Sequence, residues 1–138
     1  MDMNIAVNYW GVLGAAIASM IIGMLWYGPL FGKPWMKLMG ITPQSMKKMK
    51  LTPGKAMTLG FIVTLVVAYV LDHFVKYVQA TSFGAAAQLG FWLWLGFLAP
   101  ILLASFLWEN KPFKLFVLNA AYRLVEVIVM AAILARWG

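Results

Sequence analysis

Four long apolar runs, separated by polar stretches of unequal length, dominate the pattern of this 138-residue chain. Each run reaches the length of about 20 residues that a helix needs to cross a hydrocarbon core. The first covers residues 5–27 and ends in Gly28-Pro29. The second, 53–78, opens with Thr52 as a cap and Pro53 in the first turn, a common helix start. Ser82 caps a third run over 82–108 that carries Pro100 inside it, and Asn110 and Pro112 open a fourth over 112–137. Unpaired backbone groups are too costly in lipid, so each run reads as a helix. The expected fold is all-α: one domain over 1–138, a polytopic membrane protein whose four transmembrane helices form an antiparallel bundle. Two of the three connections are short, which predicts that consecutive helices pack as neighbours. The longer first loop predicts two short interfacial elements. One runs over Pro34–Gly40, and the other opens at Thr42-Pro43 and carries Met46, Lys47, Lys48, Met49 and Lys50.

Composition supports the membrane reading. Hydrophobic residues make up 64% of the chain and charged residues 11%, against about a quarter charged in globular proteins. A soluble domain of this size would leave too much of that apolar surface in water. The absence of cysteine excludes disulfides and zinc-thiolate sites, and the single histidine, His73, argues against a histidine metal site within one subunit. No metal and no cofactor is expected.

The net charge of +7 does not point to nucleic acid, because Lys33, Lys37, Lys47, Lys48, Lys50 and Lys55 all fall in the first loop. Such placement is an orientation signal and a contact for anionic headgroups, so the expected partner is the lipid bilayer. With that loop inside, Lys111 and Lys114 join the cytoplasmic set, and eight basic residues face Lys76 and Arg136 on the other side. The predicted topology has loop 28–55 cytoplasmic and both termini outside, with Asp2 compatible. Met1-Asp2-Met3-Asn4 lacks the basic start of a secretory signal, so the first run is read as a retained span.

Two patterns could carry more than packing. Gly11, Ala15, Ser19 and Gly23 place a small residue at every fourth position of the first helix, a face that lets another helix approach closely, within the subunit or in a second copy. On the fourth helix Asn119, Arg123 and Glu126 share one face, with Tyr122 adjacent. Arg123 lies ~15 Å along that helix, near the bilayer midplane. Two central charges cost about 5–7 kcal/mol on insertion scales, and the Leu, Ile, Val and Phe residues of the span return about 4–7. The span is near break-even alone and should rely on neighbouring helices and on an Arg123–Glu126 pair. Asp72 and His73 on the second helix are candidate additions, separated from Arg123 by ~9 Å along the membrane normal. Intramembrane charges are functional candidates by default, with helix registration as the plainer role. No catalytic constellation is visible: Asp72 and His73, adjacent on a helix, point about 100° apart.

The run Leu25-Trp26-Tyr27-Gly28-Pro29-Leu30-Phe31-Gly32-Lys33-Pro34-Trp35-Met36 resembles the small four-span prokaryotic membrane proteins grouped as domain of unknown function 1761. Trp94-Leu95-Gly96-Phe97, the Glu109-to-Pro112 turn and Asn119 with Tyr122 extend the similarity. The resemblance implies a four-helix domain in a prokaryotic cytoplasmic membrane, the inner membrane where there are two, and it carries no catalytic residues with it.

The function expected from the sequence is non-enzymatic: binding or passage of a small solute or ion through a helix bundle, in a homo-oligomer because four helices enclose little volume. The alternatives are a structural or accessory subunit of a membrane complex and a lipid-active membrane enzyme built on Asp72, His73, Arg123 and Glu126.

Overall fold

Helix starts are set by side chains that take up free backbone N–H groups. Asn8 Oδ1 accepts from the N–H of Trp10 (3.1 Å) and Gly11 (3.3 Å), which begins α1 at Tyr9 rather than at residue 5. Thr52 Oγ1 accepts from Lys55 N (3.3 Å) and Ser82 Oγ from Ala85 N (3.2 Å) at the next two long starts. The computed structural model describes residues 5–48 and 52–137, with Met46 and Pro53 described by backbone alone. Asp2, Met49 and Lys50 lie outside the described residues.

Within those residues the chain is all-α. Helix α1 (Tyr9–Leu25) continues through a wide turn at Trp26–Leu30 into α2 (Gly32–Met39) and α3 (Pro43–Lys47). Helix α4 (Pro53–Tyr77) follows; the third long element comprises α5 (Phe83–Leu93), a second wide turn (Trp94–Leu98) and α6 (Ala99–Leu107); α7 (Phe113–Trp137) ends the chain. Four of these helical stretches, Tyr9–Leu30, Gly54–Tyr77, Phe83–Leu107 and Phe113–Trp137, are long and apolar enough to span a membrane.

Two spans are less regular than their apolar runs imply. The first passes Tyr27 and widens at Gly28 (φ −110°, ψ −105°) and Pro29, with Phe31 N donating five residues back to Trp26 O at 2.8 Å. The third is divided where Pro100, near the start of α6, has no N–H to give to the preceding turn. The wide turn Trp94–Leu98 accommodates that break. Apolar runs do not reveal such breaks, because the widened turns stay as hydrophobic as the helices around them.

Helix α7 is the hub, packing against α1, α4, α5 and α6 and touching α2. Helices α1 and α7 run antiparallel. Asn8 Nδ2 donates to the carbonyl of Trp137, and Tyr27 OH donates to Asn119 Oδ1 (2.6 Å) at the opposite end. On α5, a Cβ added at Gly90 would stand 3.1 Å from Ile128 Cα, so glycine is what lets α5 reach the α7 backbone.

The expectation that consecutive spans pack side by side fails once. Helix α4 and the third span join through Val78–Ser82, yet α4 packs chiefly against α1 and then α7, and the third span packs chiefly against α7. On α4 the buried positions are Ala68, Leu71, Asp72 and Val75, while Met57, Leu59, Ile62 and Val63 are exposed. Its packing is therefore concentrated toward the end that carries the chain termini. An apolar groove of about 430 Å³ lies between Val66, Val70 and Phe74 of α4 and Leu93, Phe97 and Leu98 of the third span, with Val127 of α7 also lining it.

Candidate functional site

Two of the buried polar side chains, Ser19 and Glu126, meet at the α1–α7 seam. The small-residue face Gly11, Ala15, Ser19 and Gly23 lies against α7: Ala15 and Ser19 are fully buried, and a Cβ at Gly11 would meet Leu134. At Gly23 an added Cβ would stand 2.9 Å from the Tyr122 hydroxyl. This close approach brings Ser19 to Glu126.

Glu126 is 6% exposed and accepts from three donors. Ser19 Oγ and Tyr122 OH (2.8 Å) both donate to Oε2, and Arg123 Nη1 donates to Oε1 (2.8 Å). Arg123 also stands 5.1 Å from the centre of the Tyr122 ring. Around this core Tyr27 packs edge-on against Tyr122 (5.1 Å) and against Trp35 of α2 (5.1 Å). Trp26 lies 6.1 Å from the Tyr122 ring, and its buried indole N–H meets no acceptor among the described residues.

The two charges differ in exposure. The Glu126 side chain is 8% exposed and that of Arg123 is 45%. At roughly 100° per residue, Arg123 points about 60° round α7 from Glu126, toward the side on which Val127 lines the apolar groove. Val127 is one turn further along the same face. Arg123 is therefore on the core-facing arc of the hub helix and half exposed all the same. Apart from Nη1, its guanidinium donors meet no acceptor among the described residues.

Two of the grouped candidates belong elsewhere. Asp72 does not join Arg123: its Oδ2 accepts from Lys76 Nζ at 2.5 Å, one turn along its own helix. His73 points another way, with Nδ1 2.8 Å from the Tyr69 carbonyl and its ring edge-on to those of Tyr69 and Tyr77. The physical reason is economy, since a lysine four residues on is nearer to Asp72 than anything on α7 needs to be. Asn119 shares the face of Arg123 but bonds Tyr27 instead. Trp94, deep in the third span, donates to Ala120 O at 2.8 Å and so ties that span to α7. Among the described residues no group of three or more His, Cys, Asp or Glu side chains could hold a metal ion.

Sequence reasoning missed Tyr27 and Lys76. Lys76 stands at i+4 from Asp72, a spacing that announces a pair. Tyr27 gave no signal beyond its place at the end of an apolar run. Ser19 was visible as a small residue, and its hydroxyl is the polar member of that stripe.

The model of a protein family of unknown function, DUF1761, matches residues 10–135. The chain belongs to this family. The matched region covers nearly all of the four spans and every residue of the Glu126 network, so the site lies within it. No curated protein and no solved structure matches the chain.

Proposed function

We propose that this DUF1761 protein binds a small anionic solute at Arg123 within the membrane and serves its passage. The observation that carries the reading is the imbalance of the cluster. Both oxygens of Glu126 are occupied, whereas half-exposed Arg123 uses only Nη1 toward it. The unspent capacity is all donor, and the Trp26 indole adds another. A carboxylate, phosphate or halide is the chemistry that donors of this kind recognise. A guanidinium stays charged at any ordinary pH, so it needs an acceptor when it lies within a bilayer.

The orientation follows from charge. The α2–α3 end carries the lysine cluster and is the cytoplasmic end of a prokaryotic inner membrane protein, with both termini outside. A homo-oligomer would enclose the half-exposed Arg123 face more fully than one subunit does. Cysteines at Ser45 and Gly138, probed with an impermeant thiol reagent in intact cells, check the topology. Labelling at Ser45 with protection at Gly138 reverses it.

Chloride, inorganic phosphate and acetate, added in turn to reconstituted protein, test the binding. One of them should change the intrinsic tryptophan fluorescence, and folded Arg123→Met should lose that response. Indifference of the wild type to all three, or an equal response in the variant, removes the proposal.

The apolar groove beside Val127 favours a second reading, an accessory subunit whose partner helix fills it. Co-purification of a membrane partner that Val70→Trp abolishes would support that reading over the first. The enzyme alternative has less to stand on, since Asp72 and His73 are engaged apart from Arg123 and Glu126.

A further inference from the structure

We infer that the cavity between the start of α5 and the last turn of α7 holds the headgroup of an anionic phospholipid, at the opposite end of the bundle from the lysine-bearing loop. The cavity measures about 570 Å³ and is lined by Thr81, Ser82 and Phe83 on one side and by Ile133, Arg136 and Trp137 on the other. Sites for small molecules run to about 300–1,000 Å³, so the space is adequate.

Both walls are fixed by bonds of the fold. Helix α4 ends at a left-handed residue, Gln79 (φ 55°), whose N–H donates to Lys76 O (3.1 Å) while Ala80 N donates to Val75 O (2.9 Å). Such a bond pair closes a helix end, and it leaves Ala80 buried. Thr81 and Ser82 follow directly, so a tight connection sets their hydroxyls at the surface of the bundle. Across the cavity the Trp137 carbonyl accepts from Asn8 Nδ2, and a Cβ added at Gly14 would stand 3.0 Å from the Trp137 ring. The last turn of α7, which carries Arg136, is thereby tied to α1.

The chemistry of the lining selects the ligand. Arg136 brings a permanent positive charge and a planar fork of donors that matches two oxygens of a phosphate. Ser82 Oγ accepts from Ala85 N (3.2 Å) and keeps its own O–H to donate, and Thr81 offers a second hydroxyl. Among the described residues the carboxylates are committed or placed elsewhere: Asp72 pairs with Lys76, Glu126 pairs with Arg123, and Glu109 lies beyond α6 at the other end. The rest of the lining is carbon. Ile133 stands three residues, ~4.5 Å, deeper in the span than Arg136. A ligand that meets both parts carries a phosphate with hydrocarbon directly beneath it.

Position supplies that ligand. One span begins and another ends at this level, and Trp137 is a side chain of the kind enriched at membrane interfaces. A phospholipid places its phosphate here and its glycerol and first acyl carbons below, against Phe83 and Ile133. A zwitterionic headgroup would bring an ammonium toward Arg136, whereas phosphatidylglycerol brings only the negative charge.

The test is photocross-linking of the full chain in phosphatidylcholine vesicles that hold a trace of phosphatidylglycerol with a diazirine at the start of one acyl chain. Peptide mass spectrometry should find labelling within residues 81–83 and 132–137, removed by unlabelled phosphatidylglycerol and not by inorganic phosphate. Those arms use the wild type and need no substitution. Arg136→Gln should cut the labelling about tenfold and Thr81→Val about threefold, as a charge-assisted and a neutral hydrogen bond are lost. Labelling of residues 33–48 at the other end should be unchanged in both variants, which shows that they fold and insert as the wild type does. Equal labelling of the cavity by a phosphatidylcholine carrying the same diazirine overturns the inference, as does undiminished labelling in Arg136→Gln. Displacement by inorganic phosphate would mean that the cavity takes the free anion, and overturns the lipid assignment.

Discussion

Glu126 and Asp72 are both carboxylates buried inside spans, and each has a basic residue within one turn of its own helix. They are held by different means. Glu126 draws donors from two helices, with Ser19 reaching across from α1 to join Tyr122 and Arg123. Asp72 has a single donor, Lys76, on its own helix. The difference follows from depth. Glu126 stands half-way along α7, far from both headgroup regions, so its lone pairs are met by protein donors. Asp72 lies near the end of α4, where a lysine can hold the carboxylate while keeping its ammonium partly wet. A deep charge therefore binds helices together, and a shallow one need only be tolerated.

The largest expected effect breaks the deep site. Glu126→Met strands Arg123 and leaves the Ser19 and Tyr122 hydroxyls without their acceptor, which should cost about 3–5 kcal/mol. Adding Arg123→Met removes the stranded charge, and most of that loss should be recovered. Thermal unfolding of the two singles and the double in detergent decides the matter. Losses that simply add would mean that the 2.8 Å pair contributes no coupling, and the contrast with Asp72 would collapse.

Next is the seam that brings the donors in. Ser19 is 1% exposed on the small-residue face, so Ser19→Leu forces a larger side chain between α1 and α7 and removes a donor from Glu126. Overpacking of this kind costs about 1–3 kcal/mol. Unchanged stability and oligomeric state in detergent would place this face against lipid and would cut Glu126 off from its second helix.

The four spans were legible because an unbroken apolar run long enough to cross a bilayer has few other readings. Their irregularities were not. Asn8 starts α1 late through two backbone bonds that leave no trace in hydropathy, and the turn at Trp94–Leu98 is as apolar as its flanks. The Arg123–Glu126 pair could be read from i, i+3 spacing on one helix. Its cross-helix partners could not, since the match of Ser19 to Glu126 and of Tyr27 to Asn119 depends on the register of α1 against α7. That register is set by how closely small residues let two backbones approach, which a single chain shows as a stripe without naming its partner. The Asp72–Lys76 pair was local and could have been read.

Tyr27→Phe tests the register at the α2–α3 end. It deletes one hydroxyl and the 2.6 Å bond to Asn119 while keeping the ring packed on Tyr122 and Trp35. A loss of about 1 kcal/mol is expected. If Asn119→Ala in addition costs nothing more, the two groups act as one bond; independent losses would show that Asn119 serves something else.

The smallest effect should come from the shallow carboxylate. Asp72→Asn is isosteric and keeps an oxygen in reach of Lys76, so the 2.5 Å contact can persist without its charge. The released ammonium is already 20% exposed and has only to extend toward the headgroups, where its hydration replaces the lost pair. Because the charge left behind sits on the partly exposed Lys76, the loss should stay at about 1 kcal/mol, well below that for Glu126→Met. The same melts that rank Glu126→Met measure it. A loss for Asp72→Asn as large as that for Glu126→Met would show that Asp72 is held as tightly as the deep site, and depth would no longer explain why one carboxylate has donors from two helices and the other has one.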